Sequence, residues 1–255
     1  MKHLDSKYLE NLIAINRSRM AIIYECNYNN RNYIYKSFFL KSCGDCNEFD
    51  KRFSSLESLK LKYSVIPEYI METKSFVDGY LTEKALFKKI DEIDDPLERY
   101  NALLQLKEAI MELHNNGVIH GDIHSGNIVL MDNRYCLIDF DNCENENFGV
   151  YLKPKNALYC AYEFMMKNGI TRDLDIFLYN ILTFRLLSYT DLMYSDSKNC
   201  VNLASIKSYI RIGEYGLFER KDSKQICDSI LSCSVSDYLI DTIDESDVKR
   251  YFKKV

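Results

Sequence analysis

The most reactive combination of side chains in the sequence lies near its middle. The segment reads His120-Gly121-Asp122-Ile123-His124-Ser125-Gly126-Asn127, and three of the four histidines of the chain fall within eleven residues. A short apolar run separates this segment from Leu137-Ile138-Asp139-Phe140-Asp141. Two carboxylates and an amide are therefore expected on loops at the ends of neighbouring strands.

This combination suits phosphoryl transfer, which requires oxygen ligands that hold Mg²⁺ on the phosphates and a carboxylate that orients the attacking hydroxyl group. Asp122 suits the second task. Asn127 and Asp139 suit metal binding, since both offer side-chain oxygens. His124 has two open interpretations, because it could position a phosphate or only hold the loop. A polar turn is the structural alternative, and the joint spacing favours catalysis.

The two segments resemble the catalytic loop and the Asp-Phe-Gly element of the protein kinase-like superfamily. The resemblance continues downstream, where Ala161-Tyr162-Glu163 is similar to the Ala-Pro-Glu that closes the activation segment. Asp175-Ile176-Phe177 is similar to the start of the central buried helix. The resemblance implies an α+β, two-lobed kinase-like fold that uses ATP and Mg²⁺.

The same resemblance implies roles for two downstream acids. Asp175 is expected to anchor the backbone of the catalytic loop. Glu163 is expected to pair with a buried arginine, for which the sequence leaves three candidates: Arg211, Arg220 and Arg250. His114 and His120 are expected to be structural, bonding to backbone carbonyl groups, with His120 packed against Phe140.

Upstream, Tyr33-Ile34-Tyr35-Lys36 resembles the strand that carries the phosphate-binding lysine, with Lys41 as the alternative. A glutamate on a helix is expected to pair with Lys36, and both Glu57 and Glu48 fit this role. The adenine is expected to contact the linker near Leu81-Thr82-Glu83.

The sequence departs from the family pattern at three places. The turn expected over the ATP phosphates, Asn16-Arg17-Ser18-Arg19, has no glycine, although close backbone approach to phosphate normally needs one. Arg17 or Arg19 could meet the phosphates instead. Gly121 replaces the usual arginine and Asp141 replaces the usual glycine, and both changes resemble aminoglycoside and choline kinases.

Hydrophobic periodicity predicts the elements that must position these residues. Three β-prone runs within residues 12–39 predict an antiparallel meander, and residues 46–63 have the spacing of an amphipathic helix. Residues 65–71 and 75–81 are predicted strands, and a helix is predicted from Asp95-Pro96 to about Asn115. The prediction is a mainly antiparallel β N-lobe over residues 1–82 and a larger helical C-lobe over residues 83–255.

The bulk composition narrows the possible partners. The net charge is only −5 and no long Lys/Arg block occurs, so nucleic acid is not expected to bind. The apolar stretches are shorter than the roughly 20 residues that cross a bilayer, and no leader pattern is evident, so membrane insertion is not expected and a cytoplasmic location is predicted.

We expect a protein or small-molecule hydroxyl acceptor. The length of the segment between Asp139 and Glu163 favours a serine/threonine protein kinase. Gly121 and Asp141 favour a small-molecule kinase, and the glycine-free turn is compatible with a pseudokinase that only binds nucleotide.

Overall fold

The computed structural model describes residues 2–18, 21–39, 53, 56–57, 59–73, 76–145, 159–188, 203–234 and 237–253. The first half of these residues is mainly strand and the second half mainly helix. This distribution confirms the predicted α+β class with an antiparallel sheet at the amino-terminal end. The boundary between residues 82 and 83 stays a prediction.

A six-stranded sheet forms the amino-terminal part, and its strands lie in the order β1-β5-β6-β4-β3-β2. The strand bounds are Lys2–Asp5 (β1), Glu10–Arg17 (β2), Ala21–Tyr28 (β3), Arg31–Phe38 (β4), Tyr69–Thr73 (β5) and Phe76–Glu83 (β6). Strands β2, β3 and β4 pair antiparallel in sequence order, as the predicted meander requires.

The two faces of this sheet bury different side chains, because successive residues of a strand point to opposite sides. On one face Tyr33, Tyr35 and Leu81 form a cluster that includes Met71. On the other face Tyr80 packs into the main core. Lys36 lies directly opposite Tyr80 in the ladder between β4 and β6 and therefore shares this second face.

Strand β1 was not predicted from the sequence. It pairs parallel with β5, with Lys2 opposite Tyr69 and Asp5 opposite Glu72. Strand β5 begins at Tyr69, later than the predicted residue 65, because the preceding chain bonds elsewhere: the backbone N–H of Val65 donates to the carbonyl of Leu137.

Most of the helix predicted over residues 46–63 lies outside the described residues. Phe53, Leu56 and Glu57 have helical backbone, and Phe53 and Leu56 are fully buried, as the predicted apolar stripe requires. The chain is no longer helical from residue 59, so the described end of this helix comes earlier than predicted.

Helix α1 spans Pro96–Asn115 and packs its apolar face into the main core. Its start matches the sequence signal, because the Asp95 side chain accepts a hydrogen bond from the N–H of Leu97 and proline occupies the first turn. Gly117 follows the end of this helix, and its φ of 73° suits glycine. Within the described residues five further helices follow: Tyr159–Asn168 (α2), Arg172–Ser188 (α3), Leu203–Arg211 (α4), Lys221–Ser232 (α5) and Glu245–Phe252 (α6).

Helix α3 is buried from Leu174 to its end, as expected of a helix surrounded by protein on all sides. Short strands carry the polar loops: Leu86–Lys89 (β7), Val118–Ile119 (β8), Ile128–Met131 (β9), Arg134–Leu137 (β10) and Glu144–Asn145 (β11). Strand β9 pairs with β10 and β7, and β8 pairs with β11. Among the described helices, none is both long enough and apolar enough to cross a membrane.

Candidate active site

The loop between β8 and β9 carries the reactive segment, and Asp175 holds it from the core. Asp175 is completely buried in α3 and accepts hydrogen bonds from the N–H groups of His120 and Gly121, both at 2.8 Å. Nε2 of His114 lies 3.0 Å from Oδ2 of Asp175, the oxygen that also accepts from the N–H of His120. The anchoring role expected for Asp175 is therefore what the structure shows, whereas His114 bonds to this carboxylate and not to a backbone carbonyl.

His120 and Gly121 shape the start of the loop. Nε2 of His120 lies 3.0 Å from the carbonyl oxygen of Ile138, and its ring packs against Phe140 with the centroids 4.9 Å apart. Gly121 has a φ of 76°, in the left-handed region that residues with a Cβ rarely adopt. The backbone therefore explains why glycine occupies this position.

The two carboxylate oxygens of Asp122 differ in their hydrogen bonding. The side-chain amide of Asn127 donates to the Asp122 carbonyl at 2.9 Å and to Oδ2 at 3.4 Å. Oδ1 is buried and has no hydrogen-bond partner within the described part of the chain. Burial, reinforced by the charge of Asp139, raises the pKa of Asp122 to about 6.

His124 helps to form the turn that follows. Its Nδ1 accepts a hydrogen bond from the N–H of Gly126 at 3.0 Å, so the proton of the neutral ring lies on Nε2. Nε2 lies 3.8 Å from Oδ2 of Asp122. Burial lowers the pKa of His124 to about 4, and the ring is therefore neutral at pH 7.

A buried ion pair contacts the turn after His124, and this pair was not predicted from the sequence. Nη1 of Arg185 in α3 donates to Oγ of Ser125 at 3.4 Å, and Nη2 lies 3.1 Å from Oδ2 of Asp91. Arg185 is almost completely buried. An arginine within an otherwise apolar helix was the available sequence signal.

Asp139 follows β10 in a strained backbone conformation, with φ 67° and ψ 68°. Nζ of Lys36 donates to its two carboxylate oxygens at 2.6 and 2.7 Å. Nζ also lies 2.5 Å from Oδ2 of Asp141. The structure thus pairs Lys36 with Asp139 and Asp141, two contacts that were not predicted from the sequence.

Lys36, Asp139 and Asp141 shift one another's pKa values. Burial alone would raise the pKa of Asp139, but the adjacent Lys36 ammonium outweighs it and holds that pKa below its ordinary value. Burial and the charge of Asp139 raise the pKa of Asp141. Burial opposes the charge on Lys36, yet the two carboxylates raise its pKa above the ordinary value.

Tyr80 is a further site residue that the sequence did not reveal. Its hydroxyl group donates to Oδ1 of Asp139 at 3.3 Å and its ring is buried under the site. Burial raises its pKa well above the ordinary value, so the phenol remains a neutral donor. The pairing of Tyr80 with Lys36 across two strands explains its position, and this pairing follows only from the strand register.

Of the two glutamates predicted to pair with Lys36, the structure describes only Glu57. Glu57 is exposed on its short helical segment, and its pairing with Lys36 stays a prediction. Glu48 and the alternative lysine, Lys41, lie outside the described residues. Arg17 is exposed, with its guanidinium 5.4 Å from the ring centroid of Phe39, and Arg19 also lies outside the described residues.

The successive side chains of the predicted adenine linker, Leu81-Thr82-Glu83, point to alternate faces of the sheet. Leu81 is fully buried in the cluster on the face opposite Lys36. Its carbonyl accepts from the N–H of Glu68 at 2.8 Å. Strand alternation turns the side chain of Thr82 and not that of Leu81 to the face of Lys36, and the adenine contact at Leu81 and Glu83 stays a prediction. Glu83 pairs with Arg31 at 3.2 Å.

The prediction that Glu163 pairs with a buried arginine was wrong. Oε1 of Glu163 lies 2.7 Å from Nζ of Lys207, and its side chain is more than half exposed. Two of the candidate arginines, Arg220 and Arg250, both pair with Asp247 instead. A lysine from the adjacent helix α4 fills this role, because helix packing and not residue type decides which cation comes near.

The donors around Asp139 fit a magnesium ion by their chemistry. Asn127 uses its amide nitrogen on Asp122, which leaves its side-chain oxygen for a metal. Oδ1 of Asp141 is buried without a hydrogen-bond partner in the described residues. No three His, Cys, Asp or Glu side chains of the described ranges form a complete metal cage. Magnesium in nucleotide sites commonly takes one or two carboxylates and completes its shell with phosphate and water.

Comparison with known proteins agrees with this geometry. Residues 51–252 match the family model described as the protein kinase domain, and this match begins after Lys36. A protein kinase and PP2C-like domain-containing protein of Arabidopsis thaliana is 26% identical over 223 residues, which are 74% of this chain and 33% of that protein. The probable serine/threonine-protein kinase YbdM of Bacillus subtilis is 36% identical over 72 residues, 28% of this chain and 27% of that protein.

The chain therefore spans a third or less of the length of these two relatives. The family match, in contrast, covers well over half of the chain and includes the loops of Asp122 and Asp139. The chain belongs to the protein kinase family.

Proposed function

We propose that this chain is an ATP- and Mg²⁺-dependent serine/threonine protein kinase, which transfers the γ-phosphate of ATP to a protein hydroxyl group. One observation carries the proposal. Oδ1 of Asp122 is buried without a hydrogen-bond partner in the described residues, and the charges of Lys36 and Asp139, which contact each other, both act on the pKa of Asp122.

Each residue then has a chemical task. The Lys36 ammonium binds phosphate oxygens, and Asn127 and Asp139 would hold the metal, which neutralises developing charge on the phosphates. Oδ1 of Asp122 orients the acceptor hydroxyl and takes its proton. The hydroxyl oxygen forms a bond to the γ-phosphorus as the bond to the ADP oxygen breaks.

The electrostatics support Asp122 as the base. With a pKa of about 6 it is ionised at neutral pH, yet it is more basic than an ordinary aspartate. A positioned base of this kind accelerates a reaction by roughly 10²- to 10⁴-fold. His124, neutral at pH 7, contributes a hydrogen-bond donor beside Asp122 and no positive charge.

Two observations support a protein acceptor. The Bacillus subtilis relative is named a probable serine/threonine-protein kinase. The stretch from Asp139 to Glu163 is long enough to dock a peptide.

A specific feature favours a small-molecule kinase as the second candidate. Gly121, in the left-handed conformation, leaves no arginine beside Asp122, and Asp141 turns a second carboxylate toward Lys36. The residue types at these two positions resemble those of kinases that act on small hydroxyl compounds.

Incubation of the purified chain with radiolabelled ATP, Mg²⁺, a generic protein substrate and a panel of hydroxylated metabolites would separate these functions. We expect label on serine or threonine of protein, and its loss in Asp122→Asn. Label on a metabolite alone would select the second candidate. Nucleotide binding without any transfer would indicate a pseudokinase and contradict both.

A further inference from the structure

Asp141 contacts Lys36 in a manner that its position in the sequence does not suggest. It stands where the family pattern has glycine, which has no side chain. In this chain its side chain is only 18% exposed, and Oδ2 lies 2.5 Å from Nζ of Lys36. Phe140 between Asp139 and Asp141 is fully buried against His120, which fixes the turn that carries both carboxylates.

Lys36 needs a carboxylate that remains with it during the reaction. Its side chain is 13% exposed, and a buried ammonium group without a counter-charge is strongly disfavoured. In the structure Asp139 supplies two of its hydrogen bonds. If Asp139 binds a metal, these oxygens turn to the ion, and Lys36 then requires another anion beside it.

Asp141 meets this requirement by charge and by position. Lys36 lies between two carboxylates, so that after one becomes a metal ligand the remaining lysine–carboxylate pair is neutral. The neutral Tyr80 hydroxyl donates toward these carboxylates and adds no charge. Glu57, the family-type candidate for this task, is exposed on the surface of its helical segment.

We propose that Asp141 is a positioning residue that orients Lys36 toward the nucleotide phosphates while Asp139 serves the metal. The inference rests on the proposed function for the identity of the ligand. Asp141 acts through Lys36, and its removal should therefore weaken those interactions of nucleotide that Lys36 makes.

Nucleotide affinity tests this assignment without requiring phosphate transfer. ADP binding to the full chain is measured by calorimetry, once with Mg²⁺ and once with EDTA, for wild type, Asp141→Asn, Lys36→Met and the double variant. We expect Asp141→Asn to weaken ADP binding by about tenfold with Mg²⁺, because the long lysine side chain regains its rotamer freedom when Asp139 serves the metal. With EDTA the loss should be smaller, since Asp139 still holds Lys36. The double variant should bind no more weakly than Lys36→Met, since both changes remove one interaction.

Matched variants separate positioning from folding. Asp132→Asn makes the same chemical change in the exposed turn between β9 and β10 and should leave ADP affinity unchanged. Asp141→Glu, which restores the carboxylate, should recover part of the lost affinity. Circular dichroism confirms that each variant is folded.

Several results would overturn the assignment. Additive losses in the double variant would show that Asp141 acts independently of Lys36, as a metal ligand would. A loss no larger with Mg²⁺ than with EDTA would contradict a role that depends on Asp139 serving the metal. Unchanged affinity in Asp141→Asn, with a large loss in Glu57→Gln, would restore the family-type arrangement. Wild type that binds ADP but transfers no phosphate would contradict the proposed function alone.

Discussion

Nζ of Lys36 lies 2.6 Å from Oδ1 of Asp139, although 103 residues separate them in the chain. The first residue belongs to β4 of the amino-terminal sheet and the second follows β10, which packs against helix α1. The charged centre therefore forms only when both parts of the chain are folded.

Replacement of the base tests the chemical step. Asp122→Asn keeps the shape of the side chain but cannot accept a proton, so kcat should fall by at least about 10²-fold while ADP affinity changes little. Steady-state kinetics and calorimetry measure the two effects. Asp132→Asn, an exposed aspartate in a turn, is the matched control. Undiminished kcat in Asp122→Asn would remove Asp122 from the mechanism.

The pH dependence of kcat/KM tests the same carboxylate. Because the pKa of Asp122 is raised to about 6, its basic form is lost as the pH falls through that value. We expect kcat/KM to fall below about pH 6 with a limiting slope of about one decade per pH unit. A rate that stays level down to about pH 4.5, with the fold intact, would contradict this assignment.

The raised pKa of Asp122 also predicts that ionisation of this carboxyl group lowers the stability of the fold. A carboxyl group whose folded pKa lies above its unfolded value favours the folded state below the unfolded pKa, and this advantage is lost as the pH rises through the folded pKa. Asp122→Asn removes the penalty of ionisation, which is at most about 3 kcal/mol. Its Tm should therefore exceed that of wild type at pH 8, by about 2 to 4 °C per kcal/mol, and match it only at about pH 3, below the unfolded pKa. A lower Tm at pH 8 would show that the contacts of Asp122 outweigh its burial.

Two substitutions of His124 distinguish its interpretations. In His124→Asn the side-chain oxygen can accept from the N–H of Gly126, as Nδ1 does, but the group near Asp122 is lost. If His124 mainly holds the loop, His124→Asn should keep kcat within a fewfold of wild type, and His124→Ala should lower the free energy of unfolding by about 1 kcal/mol. We expect this pattern, since the neutral ring offers no charge to phosphate. A large kcat loss in both variants with unchanged stability would assign His124 to the reaction itself.

Gly79 offers a test of how closely the strands must pack behind Lys36. A Cβ atom at Gly79 would lie 1.9 Å from the carbonyl oxygen of Lys36, and therefore β4 must move in Gly79→Ala. We expect a loss of more than about 2 kcal/mol in unfolding free energy and weaker ADP binding. Gly213→Ala is the control, because its φ of 84° strains alanine but nothing lies within 4 Å. Equal losses in the two variants would exclude the close contact as the cause.

Sequence patterns were sufficient where one strong local signal decided the outcome. The meander β2–β4, helix α1 with its Asp95 cap, and the loop held by Asp175 were all predicted. The loop could be predicted because its residues are close in sequence. The capping aspartate followed by proline fixes a helix start by short-range chemistry alone.

Long-range packing explains the rest. Tyr80 faces Asp139 only because of the register between β4 and β6, and a shift of one residue would have turned Leu81 there instead. Lys207 and Arg185 find their carboxylate partners across helices, at separations of 44 and 94 residues respectively. No local pattern determines which of several cations reaches a given acid.

The short strand β1 has a consequence for solubility. It occupies the side of β5 that would otherwise present unpaired N–H and C=O groups, and such open edges invite pairing between molecules. With only four residues and a charge at each end, β1 is itself a poor template for further strands. These few amino-terminal residues thus protect the β5 edge of the sheet from pairing with other molecules.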